Sequence, residues 1–79
     1  MYEKTIDDAL LNDCLAKENY LEATQMLIKE IKTNKENHPE NSMIEDIYIS
    51  IMGVSNREGM AAKSVYDLVK SMREVLLSA

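Results

Sequence analysis

A chain of 79 residues, 46% apolar and 29% charged, is enough for one globular domain and too rich in core-forming residues to be disordered. Its net charge of −5 argues against broad contact with phosphate backbones or an anionic membrane surface, both of which are bound through Lys and Arg. A single cysteine, Cys14, excludes an intrachain disulfide and suits a reducing compartment.

No apolar run approaches the roughly 18–20 residues of a membrane span. Glu3, Asp7 and Asp8 stand where a secretory signal would carry bases and then a long apolar stretch, so a cytoplasmic location is expected, with no membrane contact. The core must be built from Leu, Ile, Val, Met and Tyr, because the chain has no Phe and no Trp. Its six Met suit gap filling in a small core, and they suit an adaptable binding surface as well. So short a domain buries only about 60% of its unfolded surface, so association with a second copy or a partner would add useful stability.

Four capping signals punctuate the chain: Thr5 before Asp8, Asn19 before Glu22, Ser42 before Glu45, and Ser55 before Glu58. In each pair the first side chain can accept from a free N–H of the first helical turn, and the acid sits at the positive end of the helix dipole. The first segment is predicted to be helical from about Ile6 to Lys17, with Ile6, Leu10 and Cys14 recurring at spacing four beside Leu11 and Leu15. The second is predicted to run from about Tyr20 to Asn34, with Tyr20, Ala23, Thr24, Leu27, Ile28 and Ile31 on one face. Neither Gly nor Pro separates these segments, so one continuous helix is the alternative; a break near Glu18–Asn19 is the reading adopted. Pro39, with Asn34, Asn37 and Asn41 around it, marks residues 34–41 as a loop between two halves.

The third segment, Met43 to Val54, reads two ways. Ile44, Ile47, Tyr48 and Ile51 make a helical stripe, while Ile47, Ile49 and Ile51 alternate as a strand would. The Ser42–Glu45 start favours a helix, and a lone strand would have no partner. This helix is apolar nearly all round, as expected of a central or interface helix. Gly53 is its expected stop. The fourth helix is predicted from about Asn56 to Leu77, with Ala61, Val65, Leu68, Met72 and Val75 at 4-3-4-3 spacing, like the seam of a bundle or coiled coil. Gly59, in its predicted first turn, would allow a neighbouring backbone to approach closely.

Two stretches are similar to known motifs. Glu18-Asn-Tyr-Leu-Glu-Ala23 resembles the turn between the paired helices of a tetratricopeptide repeat, which implies a helical hairpin with Ala23 packed between helices. No second copy follows at the ~34-residue period of that repeat. Met52-Gly-Val-Ser55, followed by Asn56 and Arg57, resembles the turn of a helix-turn-helix DNA reader, which implies that Asn56 and Arg57 open a recognition helix. Gly59 and Glu58 depart from that pattern, which makes the motif a degenerate one.

Catalytic chemistry has little to draw on. His38 is the only histidine and lies in the polar loop, and Cys14 falls on an apolar face without a neighbouring base. Asp7-Asp8 and Glu45-Asp46 are adjacent carboxylates that point about 100° apart on a helix, so they cannot face each other across a substrate. No cluster has metal-ligand spacing and no glycine loop cradles phosphate, so no catalytic, metal or cofactor residues are assigned.

The expected fold is all-α: one domain over residues 1–79, a small antiparallel bundle of three to four helices. It is built from two helical hairpins, residues 5–35 and 42–78, joined by the loop at 34–41. The expected function is non-catalytic protein–protein interaction, as an adaptor, inhibitor or regulator that self-associates as a homodimer. Ile47, Tyr48, Ile51, Met52, Val65, Leu68, Met72 and Val75 form its expected interaction surface. The alternative is a nucleic-acid-binding or replication or transcription accessory protein using Lys29, Lys32 and Lys35, or Arg57, Lys63, Lys70 and Arg73. Acids outnumber bases nine to five before residue 41 and five to four after it, so an anionic partner would suit the second half or the Lys29–Lys35 patch.

Overall fold

The computed structural model describes residues 2–57 and 59–78. Over them the chain forms four helices and no strand: α1 (Asp8–Ala16), α2 (Tyr20–Asn37), α3 (Ser42–Ser55) and α4 (Ala62–Ser78). Helices α2, α3 and α4 each pack against the other two, and α1 packs on α2. Tyr20 meets Tyr66 near the starts of α2 and α4, and Glu30 meets Arg73 further along both, so these two helices run in the same direction. The core is Leu11, Cys14, Ala23, Leu27, Ile31, Ile44, Ile51, Tyr66, Val69 and Leu76.

Local chemistry explains most helix ends. Asp7 caps α1 by accepting from the Ala9 N–H; Thr5, the expected cap, lies outside the helix. Asn19 caps α2 by accepting from the Glu22 N–H at 3.3 Å, as its spacing predicts. Asn41 rather than Ser42 caps α3, because its side-chain oxygen reaches the N–H groups of both Met43 and Ile44. The break at Glu18–Asn19 is present, with Glu18 in the left-handed region at φ +56°.

Residues 47–52 are helical. Ile44 and Ile51 are buried while Ile49 is 60% exposed, a pattern that follows the helical period and not the two-residue alternation of a strand. Other expectations need correction. Gly53 does not end α3, which continues two residues to Ser55. Helix α4 begins at Ala62 and not at Asn56, so Ser55 closes one helix instead of opening the next. Its expected acidic partner, Glu58, lies outside the described residues. Gly59 sits in the connection at φ +85°, where a β-carbon would meet nothing within 4 Å; its role is to supply the backbone turn, not space for a neighbour.

The expected seam of α4 is rotated from the observed core face. Tyr66, Val69, Arg73 and Leu76 point inward, whereas Leu68 and Val75 remain exposed. The inward stripe is interrupted by a charge, Arg73, so apolar periodicity alone selects the outer line of α4 and not the core-facing one.

Candidate functional site

The most constrained part of the molecule is a buried polar cluster on α2. Leu27 and Ile31 direct one face of α2 into the core, and Glu30 and Asn34 lie on that same face at helical spacing. The Glu30 carboxylate accepts from Arg73 Nε at 2.5 Å and from a second Arg73 nitrogen at 3.1 Å, in the bidentate geometry a guanidinium favours. It also accepts from the Tyr2 hydroxyl at 2.6 Å and from the N–H groups of Thr5 and Ile6 at 2.6 and 3.1 Å. The Asn34 amide accepts from the Glu3 N–H at 2.6 Å and donates to the Glu3 carbonyl at 2.8 Å, pairing with the backbone as a strand would. Residues 2–6 therefore form a strap laid across α2.

Burial alone would push the Glu30 carboxyl up. Hydrogen bonds from Arg73, Tyr2, Thr5 and Ile6 outweigh that, so it is held below the ordinary glutamate value. Burial works against the charged form of Arg73 too, but its pairing with Glu30 prevails and the guanidinium is pushed up. Burial, followed by the hydrogen bond to Glu30 and then its charge, raises the Tyr2 phenol well above the ordinary tyrosine value. A carboxylate whose lone pairs are all engaged and whose charge is neutralised is poorly suited to proton transfer. The chemistry of this cluster is attachment. Glu30, Asn34 and Arg73 were not singled out by apolar pattern; their signal is polar residues continuing an apolar stripe at spacing three or four.

The expected interaction residues fall into three environments. Ile51 is fully buried and belongs to the core, so it is no part of an accessible surface. Ile47, Tyr48, Met52, Val65 and Met72 are half-buried, and the Lys35 ammonium lies 5.5 Å from the Tyr48 ring centre. Leu68 and Val75 are 41% and 54% exposed on one line of α4, with Met72 between them. A cleft of about 350 Å³ opens beside Val65, where Leu21, Ile28, Arg57 and Met60 also contribute to its walls.

The cationic residues differ in accessibility. Lys29, Lys32, Lys63, Lys70 and Arg57 are exposed and Lys35 is half-buried, whereas Arg73 is buried in its pair with Glu30 and cannot reach a phosphate. The helix-turn-helix likeness fails on geometry, because Met52–Ser55 is the last turn of α3 and Asn56 and Arg57 open no helix. The tetratricopeptide-like stretch does hold a turn between helices, and Ala23 is fully buried there.

Cys14 is buried, with its thiol 3.9 Å from the Met26 sulfur, and His38 is half-buried with Nδ1 4.0 Å from a Glu40 oxygen. Among the described residues no group of His, Cys, Asp and Glu is placed to hold a metal ion, and no helix is long and apolar enough to cross a membrane. No protein-family model, curated protein or solved structure matches the chain.

Proposed function

We propose that the chain is a non-catalytic protein–protein interaction module, a small adaptor, inhibitor or regulator, that self-associates through the outer stripe of α4. The observation that carries this reading is the exposure of Leu68 and Val75 on one line of a helix whose inward face is already filled by Tyr66, Val69, Arg73 and Leu76. The spacing Val65, Leu68, Met72, Val75 is that of a helix–helix seam. Ser64, Ser71 and Ser78 recur along the outer flank, and the hydroxyls of Ser71 and Ser78 donate to carbonyls within α4. These small side chains suit close approach of a second helix. The seam pairs with the same stripe of a second copy, giving an isologous dimer.

The same reading assigns the fold as two antiparallel hairpins, α1–α2 and α3–α4. Contacts between Ile6 and Glu30 and between Cys14 and Met26 run in opposite senses along the first pair, which supports this.

Light scattering across a concentration series tests the function. The expected result is a dimer that Leu68→Glu and Val75→Glu each weaken at least tenfold without changing the thermal unfolding profile. A dimer indifferent to both substitutions, or a chain monomeric at several hundred micromolar, would overturn the α4 stripe as its interface. A mobility shift on DNA or RNA at low ionic strength, where electrostatic contacts are strongest, would favour the nucleic-acid alternative instead.

A further inference from the structure

The turn between α1 and α2 is one that the sequence does not require. No Gly or Pro lies between Thr5 and Lys35, and Ala16, Lys17 and Glu18 are all good helix formers. The chain nevertheless turns there through one left-handed residue. The Glu18 N–H donates to the Leu15 carbonyl at 3.1 Å and the Asn19 N–H to the Cys14 carbonyl at 2.8 Å, with Glu18 at φ +56°. This is the arrangement that usually places glycine at the left-handed position. With Glu18 there, a β-carbon crowds the following carbonyl, a strain that glycine escapes. Asn19 both completes the turn and caps α2.

The segment before this turn is attached mainly to residues after it. Tyr2, Thr5 and Ile6 bond Glu30, Glu3 pairs with Asn34 in both directions, and α1 packs on α2. None of these contacts depends on the strap and α1 belonging to the same molecule as α2.

We propose that two copies of the chain exchange residues 2–16, with Glu18 as the hinge. In the exchanged form Glu18 returns to right-handed helical geometry, and α1 and α2 join into one helix from Asp8 to Asn37, about 45 Å long. Glu30 and Asn34 of each copy grip the strap of the other, and the strain at Glu18 is released at both hinges. The partner is a second copy of this chain, and the surface it occupies is the face of α2, beside Arg73, that the strap covers in the single molecule. This interface is separate from the outer stripe of α4 and does not depend on it.

The test is refolding from denaturant at several hundred micromolar, followed by light scattering and a cross-link that reports which chain holds α1. Leu10 and Lys29 line one cleft between α1 and α2. In a Cys14→Ala background, Leu10→Cys and Lys29→Cys joined by a short bismaleimide give a covalent dimer if α1 is exchanged. They give a covalently closed monomer if it is not. The exchanged dimer is expected to weaken at least about 30-fold with Glu18→Gly, which relieves the strain of the closed turn and disfavours the continuous helix. It is expected to tighten at least about tenfold with Asn19→Ala, which removes the cap that starts α2. Circular dichroism checks that both variants stay helical. A dimer whose cross-links are all within one chain overturns the exchange and leaves the α4 stripe as the interface. An interchain cross-link yield insensitive to Glu18→Gly overturns it, and so does a cross-link that stays within one chain in Asn19→Ala.

Discussion

Helix α2 buries Glu30 and Asn34 beside Leu27 and Ile31, whereas α3 buries only Ile44 and Ile51. The two neighbours are thus held by different means. The long-range hydrogen bonds of the buried polar side chains of α2 are directional and choose a partner: Glu30 takes Arg73 and the strap, and Asn34 takes the Glu3 backbone. Among the described residues the side-chain bonds of α3 are local: the Asn41 cap accepts from the Met43 and Ile44 N–H groups, and Ser50 and Ser55 donate to carbonyls of their own helix. A misplaced polar partner leaves a buried group unsatisfied, which costs more than the bond contributes when made. Apolar contacts carry no such penalty for a small shift. The junction of strap, α2 and α4 therefore has one register, and α3 is placed by burial and by the lengths of its connections.

The most severe way to break this contrast is Arg73→Ala, which strands the Glu30 carboxylate in the core. Urea unfolding is expected to show a loss of about 3–5 kcal/mol, while the exposed neighbour substitution Lys70→Ala changes little.

Acid should expose the same asymmetry. Because the folded value of Glu30 lies below its ordinary one, its contribution is complete above the unfolded value near pH 4.3. It is lost as pH falls through the lower folded value. The stability gap between the native chain and Glu30→Gln should therefore shrink between pH 7 and about pH 3, as measured by denaturant titration at each pH.

Tyr2→Phe removes one charge-assisted bond of the strap and should cost about 1.5 kcal/mol. Hydrogen exchange should report faster opening of the Thr5 and Ile6 amides, with those of α3 unchanged. On the apolar side, Ile51→Val should cost about 1 kcal/mol by thermal unfolding. Ile49→Val, on the exposed face of the same helix, should be close to neutral. Equal costs at the two positions would show that α3 is not seated as described.

Much of the fold was legible because its signals are local. Asn19 with Glu22 announces the start of α2, and Pro39 marks the end of the first half, although Asn34 and Asn37, read as loop, continue α2 to Asn37. Cys14 is buried as expected but in line with Leu11, because Leu10 of the expected stripe is 59% exposed and Ile6 lies outside α1. The helical state of residues 47–52 followed from the acidic N-terminal turn and the lack of a strand partner. The boundary of α4 was misread because Ser55 and Asn56 carry capping chemistry that α3 consumes at its C-terminus. The proposed interaction surface is accessible only in part. Leu68 and Val75 are exposed as an interface residue should be, but Ile51 has the same apolar character and lies in the core.

Composition, capping residues and apolar spacing were sufficient for an all-helical chain of three to four segments, because helix formation depends on neighbours within a turn or two. The pairing of Glu30 with Arg73, 43 residues away, and the docking of the strap on Asn34 emerge only when α2 and α4 lie side by side. A charged residue reads as solvent-facing until its counter-charge is known to be within reach. That knowledge lies in the packing, where low polarity makes an unpaired charge prohibitive and a paired one tolerable.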